Sequence, residues 1–159
     1  MTREAGQQSR AEADFGKFIA FRVGGQLYCV DIMSVREIRG WIAATPLPHA
    51  QTFLRGVINL RGDVLPVVDL ACRLGFPMSE PSARHVVVVL ELPGQVVGFL
   101  VEAVSDIIEI APGAVQPTPE VASAVARDFV RGVVASDSTM IGVLRAEKLA
   151  PNNVMKLAA

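Results

Sequence analysis

The chain has 159 residues, 51% of them hydrophobic, and 15 basic side chains against 16 acidic ones give a formal net charge of −1. Its length predicts a single domain or two small lobes that share a core, and its near-neutral charge gives no reason to expect a nucleic-acid partner or an anionic membrane surface. The strongest apolar run, Val86 to Leu90, is far shorter than the roughly 20 residues of a membrane-spanning helix. No signal peptide is recognisable. Two cysteines are too few for a disulfide scaffold, so a reducing cytoplasm is expected.

The first elements in chain order are a polar tail and a β-hairpin. Residues 1–14 lack apolar spacing, which predicts a disordered tail. From Gly16 to Val23 the side chains alternate, and Gly24-Gly25 then turn the chain into Gln26 to Ile32, which predicts a hairpin. A further strand is expected from Glu37 to Ile42.

The stretch from Phe53 to Leu70 predicts a second hairpin. Its β-favouring residues flank Arg61-Gly62-Asp63, whose glycine can take the positive φ of a tight turn. Because Pro66 cannot donate to a ladder, its strand is expected at a sheet edge or with a bulge there. Asp69 is expected to cap a short helix that ends before Gly75.

The second half of the chain repeats the first. Aligning Gly25-Gln26 with Gly94-Gln95, a shift of 69 residues, places Ser34–Ile38 on Ala103–Ile107. Independently, Phe53-Leu-Arg-Gly-Val57 recurs as Phe129-Val-Arg-Gly-Val133, a shift of 76 residues. Duplicated short strands with glycine-rich turns predict two similar small barrels, each of which is stabilised by packing against the other.

These repeats suggest approximate lobes at residues 15–82 and 83–150, followed by a tail at 151–159. The extra residues of the second copy, 110–127, are rich in proline and predict a loop that leads into a short helix from Glu120 to Arg127.

A search for chemistry finds no nucleotide-binding, phosphate-binding or hydrolase motif. His49 and His85 are the only histidines, and neither has the spacing of a metal site, so no metal or other cofactor is expected. Cys29 and Cys72 are interpreted as small core hydrophobes.

Three features admit both a structural and a functional interpretation. Arg61 is either a solvated turn arginine paired with Asp63 or a docking arginine, and the residues alone favour the former. Val35 and Glu37 share a strand face that is either a barrel rim or part of a groove. Gly56 marks either a kink in a barrel strand or the close approach of another group.

The run Arg55 to Leu70 resembles the hallmark of the CheW-type chemotaxis coupling proteins. Three other stretches match the same family in order and spacing: Val35–Gly40, Val96–Asp106 and Gln116–Glu120. Together they cover Phe15 to about Leu149. The resemblance implies an all-β CheW-like domain over residues 15–150, built from two intertwined five-stranded SH3-like barrels with a shared core and short helices.

The resemblance also implies a function. Such proteins are cytoplasmic adaptors without enzymatic activity that join transmembrane chemoreceptors to a sensor histidine kinase. The positions that match the family's receptor-binding groove are Val35, Glu37, Gly56, Arg61, Val86, Gly98, Val104 and Ile107.

A second contact with the kinase matches the loop residues Pro117, Pro119, Glu120 and Val121, and Val121 stands where some relatives carry an aromatic side chain. The expected partners are the receptor's helical tip, the kinase's regulatory domain and, in arrays, other CheW-like domains.

Three alternatives remain open at the level of sequence. The chain could serve a chemosensory pathway that does not steer flagella, or it could be the equivalent domain of a larger kinase or coupler. From another class, it could be a small β-barrel enzyme or ligand-binding protein, which would need a concave pocket with converging titratable groups.

Overall fold

The computed structural model describes residues 15–118 and 124–151, and in this part of the chain it is built almost entirely of β-strands. The strands are β1 Gly16–Val23, β2 Gln26–Asp31, β3 Val35–Gly40, β4 Leu54–Leu60, β5 Asp63–Asp69, β6 Val86–Leu92, β7 Gln95–Val101, β8 Ala103–Ile110, β9 Val130–Ser136 and β10 Thr139–Leu144. A 3₁₀ turn precedes β3, and the short helices are α1 Leu70–Arg73, α2 Ala124–Phe129 and α3 Ala146–Leu149. No helix in the described ranges has the length and hydrophobicity to cross a membrane.

The strands form two five-stranded sheets with the same topology. Lobe 1 has the order β3-β6-β7-β5-β4 and lobe 2 the order β8-β1-β2-β10-β9. In each sheet one neighbouring pair is parallel, β5 with β7 and β10 with β2, and the other pairs are antiparallel. The two orders become identical when β1 to β5 are matched with β6 to β10, which is the duplication that the sequence predicts.

The sheets do not follow the predicted division at residues 82 and 83. Lobe 1 is a continuous segment, β3 to β7, whereas lobe 2 combines the hairpin β1-β2 with β8 to β10. Each repeat therefore gives its first hairpin to the other repeat's sheet. This exchange corrects the lobe boundaries 15–82 and 83–150, and it is the intertwining that the fold class implies.

Each sheet closes into a barrel through one isolated bridge beside a glycine. In lobe 1, Thr45 and Val57 exchange two backbone hydrogen bonds of 2.9 Å. The neighbouring Gly56 has φ +135°, and a Cβ atom there would overlap the Thr45 carbonyl oxygen. The equivalent bridge in lobe 2 is Gln116 with Val133. Glycine is required at this closure because two backbones approach more closely than a side chain permits.

Three apolar clusters hold the barrels together. Each lobe has a small core of its own, and a larger shared core lies between the sheets with members from both, among them Phe21 and Val30 of lobe 2 and Leu90 and Phe99 of lobe 1. Cys29 is fully buried in the core of lobe 2, as predicted, and burial raises the pKa of its thiol to about 12. Cys72 is only half-buried.

The central hairpin forms as predicted, with one correction. The turn has positive φ at Arg61 and Gly62, and Asp69 caps α1 by accepting a hydrogen bond from the Cys72 amide at 3.2 Å. Pro66, however, lies in an interior strand between β4 and β7 and is not bulged. It is tolerated there because the ladder from β5 to β7 begins only at Val67, so the missing donor is not needed.

Two further predictions differ from the structure. The sequence favours one strand from Gln95 to Ala103, but β7 ends at Val101 and Ala103 begins the separate strand β8. It also favours a helical turn from His49 to Leu54, where the structure has turns at residues 48–49 and 52–53 and Leu54 begins β4. The predicted tail at 1–14, residues 152–159 of the predicted C-terminal tail, and Pro119 to Val121 lie outside the described residues.

Candidate interaction groove

Two apolar side chains of β3 face the shared core. Val35 is paired with Leu90 and Ile38 with Val88, and directly opposed residues of an antiparallel pair project to the same face. Since Leu90 and Val88 belong to the shared core, Val35 and Ile38 continue that core outwards. Val35 is half-buried, and Ile38 is 42% exposed.

Strand β8 of lobe 2 presents the equivalent pair. Val104 is opposite Phe21 and Ile107 opposite Ile19, and both partners again belong to the shared core. Val104 is half-buried and Ile107 is 53% exposed. Even the register shift that follows Val35 in β3 has its counterpart after Val104 in β8, so the two edge strands present matching surfaces.

Val86 adds a third strand to this surface in lobe 1. It is half-buried, packs against the shared core and lies opposite Gly40 on one side and Val101 on the other. The position in lobe 2 that corresponds to Val86 is the exposed Lys17. We call the exposed apolar surface along the shared core the apolar stripe; its members are Val35, Ile38, Val86, Val104 and Ile107.

Glu37, which lies between Val35 and Ile38 in β3, forms an ion pair with Arg61. Glu37 is opposite Val89, which lies in the core of lobe 1, so its side chain projects to the other face of β3 from Ile38. There it accepts a hydrogen bond from Arg61 and lies 3.6 Å from Arg39. The Arg61 hydrogen bond holds the pKa of the Glu37 carboxyl below its ordinary value.

The pair connects β3 to the tip of the β4-β5 hairpin. Arg61 is therefore paired with Glu37 rather than with Asp63, which instead lies 3.8 Å from Arg36. The Arg61 side chain remains 66% exposed, against 21% for Glu37, so its guanidinium is still accessible to a partner.

Gly56 and Gly98 lie inside the fold. Gly56 is at the barrel closure, and a Cβ atom on Gly98 would lie 2.7 Å from Cγ1 of Val87 on the neighbouring strand. Both residues are buried. Strand packing accounts for these two glycines, and neither offers side-chain contact to a molecule on the apolar stripe.

The loop predicted to form a second contact is described only in part. Pro117 and Thr118 lie beside the lobe 2 closure, where the Thr118 hydroxyl donates to the Val130 carbonyl at 3.5 Å. Pro119, Glu120 and Val121 are outside the described residues, so this contact stays a prediction.

Ile38 is the stripe residue that sequence reasoning missed. The repeat alignment already places it on Ile107, so the signal was present. Strand alternation wrongly placed Glu37 on the same face as Val35, because the register shift between these two residues puts Ile38 there instead.

Catalytic or metal-binding arrangements are not evident in the described part of the chain. It contains no cluster of three or more histidine, cysteine or acidic side chains suited to a metal ion. A cleft of about 340 Å³ lies between α1, the following loop and Glu102. Its polar groups serve the fold: Glu102 accepts from the Gly24 and Gly25 amides, and Nδ1 of His85 accepts from the Ser82 amide at 3.0 Å.

Comparisons with known proteins agree with the fold. Residues 17–153 match the family model of the CheW-like domain. The chain is 53% identical over 133 residues to the probable chemotaxis protein CheW of Rhizobium etli, covering 84% of this chain and 86% of the relative. It is 50% identical over 142 residues to the chemotaxis protein CheW of Rhizobium meliloti, covering 89% and 92%.

Among solved structures, the scaffolding protein TtCheW of Thermoanaerobacter tengcongensis superimposes with a TM-score of 0.76 at 32% identity. The match covers 82% of this chain and 89% of that one.

Proposed function

Since the chain belongs to the CheW-like family of chemotaxis scaffold proteins, we propose that it couples transmembrane chemoreceptors to a sensor histidine kinase in the cytoplasm. The family consists of adaptors without enzymatic activity. In this proposal the helical tip of the receptor binds along the apolar stripe, and the regulatory domain of the kinase docks barrel to barrel.

One observation carries the proposal: two matching edge strands, β3 and β8, expose apolar side chains where the two lobes meet. Ile38 and Ile107 are 42% and 53% exposed, although their strand partners Val88 and Ile19 belong to the shared core. Exposed apolar surface of this kind marks a contact site, and a seam between two barrels suits an amphipathic helix, whose apolar side chains recur every three or four residues.

The Glu37–Arg61 ion pair would orient the helix. Glu37 lies within β3 and Arg61 at the tip of the β4-β5 hairpin, and charged groups at the rim of an interface set register and specificity more than affinity. The loop at residues 117–121 is the proposed second contact with the kinase, through which larger arrays with other CheW-like domains would form.

The variant Ile107→Asp tests the proposed receptor site. We expect it to weaken binding to a soluble cytoplasmic fragment of a chemoreceptor by about tenfold or more, because a charge would be desolvated against an apolar helix face. The measurement is isothermal titration calorimetry. The matched control is Met140→Asp, which puts the same charge at a side chain of the same exposure, 54%, outside the stripe. Equal binding by the two variants would remove β8 from the site.

The ion pair gives a second test. We expect Arg61→Ala and Glu37→Ala to weaken receptor binding while the melting temperature stays nearly unchanged, because exposed ion pairs contribute little to stability. The double variant Glu37→Arg/Arg61→Glu restores the pair with reversed polarity. If the charges orient the receptor, this variant folds normally and still binds weakly. Recovery of full binding would mean that the pair acts only by holding β3 to the hairpin.

A further inference from the structure

Arg73, at the end of α1, contacts both lobes with one side chain. Its guanidinium carbon lies 4.2 Å from the centroid of the Phe53 ring and 4.7 Å from that of Phe129. Phe53 leads into β4 of lobe 1, and Phe129 leads into β9 of lobe 2. The same guanidinium therefore makes a cation–π contact with each lobe.

The guanidinium of Arg73 also donates two hydrogen bonds. Its Nε donates to the Leu149 carbonyl at 3.2 Å and its Nη2 donates to the Lys148 carbonyl at 3.1 Å. Both acceptors belong to α3, which follows the last strand of lobe 2. These carbonyls are at the C-terminal end of the helix, where a cation is favoured. Burial among these groups lowers the pKa of the guanidinium.

The repeat alignment explains why one side chain reaches both lobes. Phe53 and Phe129 are equivalent under the shift of 76 residues. The carbonyl of each accepts a backbone hydrogen bond from the far end of the hairpin that follows it: Phe53 from the Asp69 amide at 2.7 Å and Phe129 from the Arg145 amide at 2.8 Å. The counterpart of Arg73 itself is Leu149, which is fully buried and is its hydrogen-bond acceptor. Arg73 thus lies where the two repeats meet.

We propose that Arg73 is a positioning residue that clamps the two lobes in a fixed relative placement and so sets the spacing of the apolar stripe. The inference rests on the proposed function, since the stripe joins β3 of lobe 1 to β8 of lobe 2 and a bound helix must contact both. Lysine cannot replace the clamp in full, because only the planar guanidinium stacks on two rings while donating to two carbonyls.

The test measures lobe placement and binding separately. Spin labels on Val64→Cys in lobe 1 and Met140→Cys in lobe 2, two equivalent positions that are 47% and 54% exposed, report the distance between the lobes in a Cys72→Ala background. Titration with the receptor fragment gives the affinity. The variants are Arg73→Met and Arg73→Lys. The control is Arg22→Met, whose guanidinium donates within its own hairpin to the Gly25 carbonyl at 3.2 Å.

We expect Arg73→Met to broaden or shift the inter-label distance and to weaken receptor binding by about three- to tenfold, at a temperature where every variant is fully folded. Arg73→Lys should fall between, and Arg22→Met should match the parent. If the distance between the labels is unchanged in Arg73→Met, Arg73 does not hold the lobes in place, whatever the affinity of that variant for the receptor fragment. If Arg73→Met does not fold, an unchanged distance in Arg73→Lys leads to the same conclusion. Absence of receptor binding by the parent instead overturns the proposed function, and the distance measurement still decides the clamp.

Discussion

Replacing Asp69 by alanine is expected to lower the free energy of unfolding by about 3–5 kcal/mol, the cost of leaving the largely buried Arg55 guanidinium without its partner. Asp69 is fully buried, and its carboxylate lies 3.1–3.2 Å from the guanidinium of Arg55. It also accepts hydrogen bonds from the amide and hydroxyl of Ser79, both at 2.9 Å, and from the Cys72 amide.

The loss should be large because one carboxylate connects three segments. It joins β4 through Arg55, the N-terminus of α1 through Cys72 and the loop after α1 through Ser79. In the variant, Arg55 would keep its bond to the Ser79 carbonyl and its approach to the Trp41 ring, but it would have lost its counter-ion. Urea denaturation followed by tryptophan fluorescence and circular dichroism gives the value.

Asp63→Ala is the matched control for this change. Asp63 also pairs with an arginine, at 3.8 Å, but its side chain is 73% exposed, so its removal should cost only about 0–1 kcal/mol. A similar loss for both aspartates would mean that the Asp69 network does not hold these segments together.

Gly56→Ala is expected to be the other strongly destabilising change, at about 3 kcal/mol or more, because it combines an unfavourable φ with a steric overlap. The methyl group would meet the Thr45 carbonyl at the closure of lobe 1. Barrel closure depends on that carbonyl, which accepts the Val57 amide. A larger residue such as aspartate at this position would disturb receptor binding through the fold rather than by blocking the stripe.

Variants of two other glycines separate the effect of the unfavourable φ from that of the steric overlap. A methyl group on Gly62, which has φ +92°, would meet no atom within 4 Å. The variant Gly62→Ala therefore measures backbone strain alone, about 1–2 kcal/mol. Gly132→Ala at the closure of lobe 2 meets the Gln116 carbonyl without a positive φ, so it measures the overlap alone. If Gly56→Ala costs no more than Gly62→Ala, the close approach at the lobe 1 seam is not what requires glycine there.

The sequence predicts the local elements well because turn chemistry and alternation are local. The three hairpin turns at Gly24, Arg61-Gly62 and Gly94 lie where expected, and so does the Asp69 cap. The duplication also predicts that two similar barrels exist. These features depend on neighbouring residues, whose preferences can be read directly.

The assignment of strands to lobes could not be read in the same way. Hairpins β1-β2 and β6-β7 have similar alternation and turn residues, so by sequence either could complete either sheet. Which sheet each hairpin joins is decided by long-range pairing, including the parallel pairs of β2 with β10 and of β5 with β7. The partner of Arg61 was missed for a related reason. Asp63 is near in sequence, whereas closure of the barrel brings Glu37 to the hairpin tip from 24 residues away.

A receptor helix that lies along the apolar stripe must contact both lobes at once. Chemical-shift mapping of the isotope-labelled chain with an unlabelled receptor fragment measures this contact. We expect the backbone amides of both β3 and β8 to shift on binding, while those of β4 and β9, at the opposite edges of the sheets, stay in place. Shifts confined to one lobe, or clustered at β4 and β9, would rule out a helix bound along the stripe.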